Sequence, residues 1–276
     1  MHTKLYDCHG HIALCGTEPE TFFGDLAACG ISYIRDGGDA NGKSLEAKKY
    51  IAQHPELGVE YATPVFATHK KGRYGGIVGL PFGGFREFRK LVAKAASLGA
   101  DFIKIMYSGI ITFKEYGELS CPPLDAEEIK ELVNIAHGEG FAVMAHCNGR
   151  DTVMAAIEAG TDSIEHGAFM DDECIAALAE SGSVWVPTMA AITAFCGRPG
   201  FSSDAADRTA EALKASVSKA SALGAKIAAG SDCGAFGVPA GPGSLAEYDL
   251  LRECGVPEES IAEANELIRV RFRRWL

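Results

Sequence analysis

The chain has 276 residues, of which 47% are hydrophobic and 23% charged, the usual proportions of a soluble globular protein. Its formal net charge of −11 at pH 7 repels nucleic acid and anionic membrane surfaces, so neither is an expected partner. No apolar run approaches the roughly 18 residues of a transmembrane helix, and the N-terminal sequence leads directly into a predicted strand, so no signal peptide is expected.

The nine cysteines are spread along the chain without a C-x-x-C pair. This pattern argues against a disulfide framework and favours a reducing, cytoplasmic location. Cys8, Cys147 and Cys233 each adjoin a candidate metal ligand introduced below. Because neighbours on a strand face opposite ways, these three thiols are expected to point away from the ligands and to pack in the core.

From residue 5 onward, short β-rich runs alternate with amphipathic helical stretches. Apolar side chains within 129–136 and 213–220 recur at helical spacing. Segments such as 142–145 and 227–229 are apolar on both faces, as are parallel strands covered by helices. Eight such units predict an α/β fold, the (β/α)8 TIM barrel, with a doubly wound open sheet as the alternative. The predicted strands are 5–12, 31–36, 59–67, 101–107, 141–147, 162–166, 183–189 and 225–231.

Long connections follow the third and fourth predicted strands, at 68–85 and 108–124. In a barrel such loops lie at the carboxyl ends of the strands, where substrate contacts and lids are found. The alternative is a solvent-exposed loop without a functional role.

No linker interrupts the chain, so residues 1–276 are expected to form a single barrel domain. Its last segment, 257–276, reads as a terminal helix that docks on the barrel, with binding to a membrane surface as the alternative. One face of this helix carries Ile261, Ala264, Ile268, Phe272 and Trp275.

His9 and His11 lie two residues apart in the first predicted strand, so both imidazoles should face the same way. Two neutral imidazoles form half of a site for a divalent metal, and zinc is a natural occupant. Taken alone, the pair is as well explained by chance. Its interpretation therefore depends on what the later strands carry at the same end of a barrel.

The later strands carry further ligand types at or near their carboxyl ends. Lys104 lies inside an apolar run, where an unpaired ammonium costs several kcal/mol, so it must be modified, neutral or paired. His146 ends the fifth predicted strand, His166 the sixth, and Asp232 follows the eighth. One such residue has little meaning, but all of them at one end of a barrel predict a metal site.

This pattern resembles the amidohydrolase superfamily, with His-x-His on strand one, Lys on strand four, His on strands five and six, and Asp on strand eight. Further motifs are similar to its imidazolonepropionase-like branch, which includes metal-dependent Xaa-Pro dipeptidases. The motifs are Gly30-Ile-Ser-Tyr-Ile-Arg-Asp-Gly-Gly38, Ala145-His-Cys-Asn-Gly149, Ala155-Ala-Ile-Glu-Ala-Gly160, Ile164-Glu-His-Gly167, Val186-Pro-Thr188 and Ala228-Ala-Gly-Ser-Asp232.

The resemblance implies a binuclear centre of two divalent ions, zinc first and manganese or iron as alternatives. His9, His11 and Asp232 would hold the deeper ion. His146 and His166 would hold the more exposed ion, and a carboxylated Lys104 would bridge the two.

The implied reaction is cleavage of a C–N bond in a small molecule, such as a dipeptide, an N-acyl amino acid or a cyclic amide. A hydroxide that bridges the metals would attack the carbonyl, and Asp232 would serve as general acid and base. Three alternatives stay open: a deaminase with one metal and an unmodified Lys104, a lactone or phosphoester hydrolase, and a barrel that binds a ligand without turnover.

Two departures from the resemblance bear on these expectations. Many relatives carry a small β-sandwich, which this chain is expected to lack, so the terminal helix or a homo-oligomer would cover the exposed surface. His69 stands where relatives often have a Gly-Gly-His element, and it is a candidate substrate contact or an ordinary surface histidine. Tyr107 is a candidate substrate contact or a packing residue, whereas His2, His54 and His137 are expected to be solvent-facing or core residues.

Overall fold

Parallel strands separated by helices run through residues 4–274, the part of the chain described by the structure, which is a computed structural model. The strands are β1 (Leu5–Gly10), β2 (Ile31–Asp36), β3 (Glu60–Ala62), β4 (Ala67–Lys70), β5 (Gly79–Phe82), β6 (Ile103–Met106), β7 (Val143–Cys147), β8 (Ser163–His166) and β9 (Val184–Val186).

Helices follow nearly every strand, and a short 3-10 turn covers Pro55–Leu57. The helical spacing noted within 129–136 and 213–220 falls inside two of the helices, as predicted. The helices are α1 (Ile12–Cys15), α2 (Pro19–Ala28), α3 (Lys43–Gln53), α4 (Phe85–Ser97), α5 (Ala126–Gly138), α6 (Arg150–Glu158), α7 (Asp172–Glu180), α8 (Met189–Thr193), α9 (Ser203–Ala222), α10 (Pro242–Glu253) and α11 (Glu258–Arg271).

The strands form two parallel sheets, in the orders β1-β2-β3 and β5-β4-β6-β7-β8-β9. Residues 226–233 connect the two, because Ala228 N donates to Trp185 O on one side and Cys8 N donates to Ala229 O on the other, at 2.9 and 2.8 Å. This closure confirms the predicted (β/α)8 barrel over the open sheet. It also places the carboxyl ends of the strands around one mouth.

The eighth strand was predicted as a regular run over 225–231, which is wrong in detail. It forms no continuous ladder: its pairing is limited to isolated bridges at Ile227 and Cys233 and to the separate backbone hydrogen bonds that tie it to its neighbours. Gly230 lies so close to β1 that an added Cβ would be 2.9 Å from His9 Cβ, and Asp232 turns into the left-handed region at φ 56°. The regular pairing of the eighth strand is lost where its backbone lies closest to the first strand.

The third predicted strand, 59–67, is divided in the structure. β3 pairs with β2 and β4 pairs with β6, while residues 63–66 leave the ladder and Val65 adopts a φ of 68°. The connection predicted at 68–85 also contains a strand, β5, which pairs only with β4. Pro81 is compatible with such an edge strand because it has no N–H to donate to a further neighbour.

The terminal helix α11 docks on the barrel, as predicted, and it lies at the end opposite the mouth. Its buried residues Ala264 and Ile268, with Phe272 just beyond it, pack into the barrel interior. The rings of Phe272 and Phe102 meet edge to face at 5.3 Å. Trp275, predicted on the same face, lies outside the described residues.

The cysteines that adjoin the candidate ligands are packed as expected. Cys8, Cys147 and Cys233 are completely buried, and burial raises the pKa of the Cys147 thiol well above its usual value. Over residues 4–274, no helix is long and apolar enough to cross a membrane.

Helix α10 carries a buried carboxyl group, Glu247, that faces the start of α8. Its Oε2 accepts a hydrogen bond from Ala190 N at 2.7 Å, whereas its Oε1 has no partner among the described residues. Burial raises the pKa of Glu247 to about 8, far above the ~4.3 of a solvated glutamate. Between these two values the folded protein holds one more proton than the unfolded chain, so this group lowers stability as the pH rises.

Replacing Glu247 by Gln should therefore stabilise the protein in a pH-dependent way. The variant should match the wild type near pH ~4 and gain roughly 1 kcal/mol in the free energy of unfolding for each further pH unit, up to about pH 8. Urea denaturation of both proteins, with chelator present throughout, measures this difference. A gain that is the same at every pH would contradict the assignment of a protonated, buried Glu247.

Candidate metal centre

The predicted ligands converge at the mouth of the barrel. The Nζ atom of Lys104, on β6, lies 3.1 Å from His9 Nε2 and 3.3 Å from His11 Nε2. Asp232 Oδ1 lies 3.6 and 3.5 Å from the same two nitrogens. The ligand atoms of His9, His11 and Asp232 all lie within 4.8 Å of one another, a group that could hold a metal ion.

His11 lies one residue beyond the strand on which it was predicted. β1 ends at Gly10, but the backbone of His11 stays extended at φ −139° and ψ 92°, so both imidazoles still face the mouth. Gly37 packs directly against the ring, since an added Cβ would lie 2.1 Å from His11 Cε1. Any side chain at residue 37 would displace His11.

The other two histidines complete the group. The imidazole of His166 lies 5.1 Å from that of His9 and 4.6 Å from that of His146, measured between ring centroids. His146 is the second-to-last residue of β7, before Cys147, and His166 is the last residue of β8. The structure thus brings together all six residues predicted as ligands.

Hydrogen bonds fix which nitrogen faces the centre in three of the four rings, those of His9, His146 and His166. His9 Nδ1 lies 2.6 Å from Glu165 Oε2, and His166 Nδ1 lies 2.7 Å from Thr188 Oγ1, which leaves both Nε2 atoms facing inward. His146 is reversed, because its Nε2 lies 3.1 Å from Gly109 O and its Nδ1 is left for a ligand. Ring nitrogens held in this way are typical of metal-binding histidines.

Burial sets the charge of these groups. It lowers the pKa of His9, His11 and His166 well below the usual value for histidine and that of His146 to about 4. All four rings are therefore neutral at pH 7, the form that binds a metal. Burial also lowers the pKa of Lys104 and raises that of Asp232, and the attraction between the two opposes both shifts.

Backbone strain is concentrated at the same place. His166, Thr188 and Asp232 have φ values of 69°, 51° and 56°, in the left-handed region that residues other than glycine seldom adopt. Such conformations cost about 1–3 kcal/mol each and persist where the surrounding structure holds them, most often at functional sites. Three of them within one constellation support a functional role for it.

Two residues behind the centre had no role assigned from the sequence. Glu165 is completely buried and bonds to His9 through Oε2, while its Oε1 accepts from Arg35 Nη2 at 2.8 Å. The Arg35 guanidinium in turn stacks on Phe272 at 4.3 Å. Glu165 and His166 are neighbours on β8, yet both face the barrel interior, which the left-handed backbone of His166 permits. The sequence offered only the Ile-Glu-His-Gly motif as a signal.

The two candidate substrate contacts are placed away from the cavity. His69 is buried on β4 with its Nδ1 3.2 Å from Lys70 O, and it is Tyr74 from the same connection that reaches the cavity, 5.1 Å from the His146 ring. Tyr107 packs in the core with its hydroxyl 3.3 Å from Thr161 Oγ1. Their contact with substrate stays a prediction that this arrangement does not favour.

Two of the remaining histidines lie where the sequence predicted, at the surface. His54 and His137 are partly exposed, and each faces an acidic side chain, Glu56 and Asp162 respectively, at 2.8 Å. His2 lies outside the described residues.

Residues 29–260 match the sequence model described as the amidohydrolase family. The chain therefore belongs to this family. Membership confirms the resemblance to the amidohydrolase superfamily that was read from the strand-end motifs.

Individual relatives match over shorter stretches. An ochratoxinase from Aspergillus niger is 32% identical over 117 residues, which are 42% of this chain and 24% of that protein. An uncharacterised protein of Mycobacterium tuberculosis is 34% identical over 107 residues, 38% of this chain and 28% of that protein. The matches thus span about a quarter of the length of these curated relatives.

Solved structures match almost the whole chain. The crystal structure of a Xaa-Pro dipeptidase with bound methionine has a TM-score of 0.78 and 24% identity, covering 98% of this chain and 76% of the other. For Aspergillus niger ochratoxinase the TM-score is 0.75 at 23% identity, covering 98% and 71%. At these identities the likeness concerns the fold, and it agrees with the barrel described above.

Replacing Glu165 by Gln should weaken metal binding, because the amide no longer provides the anionic acceptor that orients His9. We expect a loss of about 10–100-fold in zinc affinity, measured by competition with a chelating dye. The variant also leaves the buried Arg35 without its counter-charge, so the measurement is made well below its melting temperature.

Glu131→Gln is the matched control, since Glu131 pairs with Arg89 at the surface, and it should bind zinc as the wild type does. Equal zinc affinity in Glu165→Gln and Glu131→Gln would contradict a role for Glu165 in holding His9.

Proposed function

We propose that the protein is a metal-dependent amidohydrolase that cleaves a C–N bond of a small molecule. The observation that carries this proposal is the convergence of four neutral histidines, a buried lysine and an aspartate at the mouth of a barrel. Family membership supports the reaction class. The names of the structural relatives, a Xaa-Pro dipeptidase and an ochratoxinase, are those of hydrolytic enzymes.

In this proposal the centre holds two divalent ions, most simply zinc. His9, His11 and Asp232 would bind one, and this donor set of two imidazoles and a carboxylate suits zinc. His146 and His166 would bind the other. Support comes from the donor atoms themselves, since the hydrogen bonds of His9, His146 and His166 leave one nitrogen of each facing the centre.

Lys104 would bridge the ions after carboxylation. Its neutral amine nitrogen bonds to the carbon of carbon dioxide and releases a proton, which gives a carbamate whose two oxygens share one negative charge. The support is the position of Nζ between His9 Nε2 and His11 Nε2, where an ammonium would face two neutral rings and a metal site. A carbamate replaces that buried cation by an anion between cations.

When bound, the ions supply Lewis acidity, which lowers the pKa of water and polarises a carbonyl. The chain supplies proton transfer, for which Asp232 is the candidate, because its side chain is 15% exposed and reaches the cavity. Its carboxylate would take a proton from the attacking water and deliver it to the leaving nitrogen.

We further propose a cytoplasmic protein whose partner is a small-molecule substrate, without nucleic acid or membrane. The net charge of −11 supports both exclusions, and nine free cysteines accord with a reducing compartment. A homo-oligomer stays a prediction.

Metal content tests the two-ion centre. Wild-type protein expressed with added bicarbonate should hold two zinc or manganese ions per chain, whereas Lys104→Gln should hold one or fewer. Lys90→Gln, at an exposed lysine, is the control and should hold two. A wild-type content near one, unaffected by bicarbonate, would favour the deaminase with an unmodified lysine.

Activity tests the reaction. Zinc- and manganese-loaded protein should hydrolyse members of a panel of dipeptides, N-acyl amino acids and cyclic amides. Asp232→Asn should lower kcat by about 10²–10⁴-fold, whereas Asp249→Asn, at a surface residue paired with Arg252, should leave it unchanged. Ligand binding by the wild type without any turnover across the panel would indicate a binding barrel instead.

A further inference from the structure

A cavity of about 270 Å³ opens above the candidate metal centre. Its floor is polar and is formed by the predicted ligands, but its walls are almost entirely apolar. Apart from the predicted ligands, the polar side chains that line it are those of Tyr74 and Asn148, and none of the remaining lining side chains is charged. Asn148 is already engaged, because its Oδ1 accepts from Ala168 N at 3.0 Å.

We propose that these walls bind an uncharged apolar group of the substrate, aromatic or branched aliphatic, next to the bond that is cleaved. This inference rests on the proposed function and adds the class of substrate. Free dipeptides are disfavoured by it, since their ammonium and carboxylate groups would lose hydration against walls whose lining side chains are uncharged.

The apolar walls come from separate parts of the barrel. Phe113 lies in the connection after β6, Phe195 follows α8, and Phe236 follows the eighth strand. Phe195 stacks on Phe113 at 4.5 Å and lies 6.0 Å from Phe236, measured between ring centroids. Loops at this end of a barrel carry substrate contacts. Because these three loops each contribute an aromatic ring, they favour an apolar group of the substrate.

At the rim of the cavity, large apolar side chains are left in water. Ile77 and Phe236 are each 59% exposed, Ile110 is 42% exposed and Leu14 is 38% exposed. All four line the cavity, and each belongs to a different connection. Apolar side chains that cluster at a concave site mark a binding surface, and a ligand with an apolar group would cover them.

Contacts with neighbouring residues hold the aromatic walls of the cavity in place. The Arg198 guanidinium stacks on Phe236 at 4.5 Å, while its Nε donates to Ala194 O at 2.6 Å. Phe113 adopts a φ of 52°, uncommon for an aromatic residue, and its carbonyl accepts from Ser202 N at 3.0 Å. The aromatic wall is thus built into the loops before a ligand arrives.

Binding measured apart from turnover tests this inference. The ligands are N-acetyl-phenylalanine amide and N-acetyl-aspartate amide, which share one uncharged amide core, titrated calorimetrically into metal-free protein, where neither turnover nor binding of the aspartate carboxylate to zinc interferes. The phenylalanine ligand should bind tighter by on the order of tenfold, because only its side chain is buried without loss of charge hydration.

Single substitutions test whether the preference for the phenylalanine ligand comes from the cavity walls. Phe236→Ser should weaken binding of the phenylalanine ligand by about fivefold and leave binding of the aspartate ligand unchanged. Leu223→Ser is the matched control, because Leu223 is also exposed, at 51%, and does not line the cavity. It should change neither affinity.

The outcomes separate the two proposals. Equal or tighter binding of the aspartate ligand overturns the apolar-substrate inference, even if the loaded enzyme hydrolyses amides. Tighter binding of the phenylalanine ligand that depends on Phe236, with no amide hydrolysed, supports the apolar site and counts against the proposed function. Equal loss in Phe236→Ser and Leu223→Ser also overturns the inference.

Discussion

The buried carboxylate of Glu165 joins the closed end of the barrel to the candidate metal centre. On one side it meets the Arg35 guanidinium, which stacks on Phe272 beside the terminal helix, and on the other it orients His9. Removing one partner of such a buried pair costs about 3–5 kcal/mol, because the other charge stays buried and unpaired. The docking of α11 and the orientation of a ligand are therefore parts of one network.

The second constraint is the contrast between the centre and its surroundings. Burial keeps the imidazoles of the centre neutral, which is the form that binds metal. The positive charge of the site would then come from the bound metal. Around this polar floor, the rings of Phe113, Phe195 and Phe236 form apolar walls with few hydrogen-bonding groups. In such a setting an electrostatic interaction with a carbonyl is stronger than it would be in water, which suits a site for cleavage of an uncharged amide.

Much of this could be predicted from the sequence, since ligand types at strand ends are local patterns and a barrel gathers strand ends at one mouth. His9, Lys104 and His166 were placed in this way. The role of Glu165 could not be predicted. Neighbouring side chains on a strand normally face opposite ways, so with His166 facing the centre Glu165 would face away from it, unless the backbone of His166 is left-handed. The divided third strand and the apolar rim depend on packing between distant segments, which periodicity does not report.

The central claim is that the strand-end residues of this barrel hold metal. Crystals of the zinc-loaded protein, measured at the zinc absorption edge, test it most directly. The account predicts one anomalous peak within coordination distance of His9, His11 and Asp232, and a second beside His146 and His166. No peak at the mouth of the barrel, or peaks only at surface residues such as His54 and His137, would contradict it.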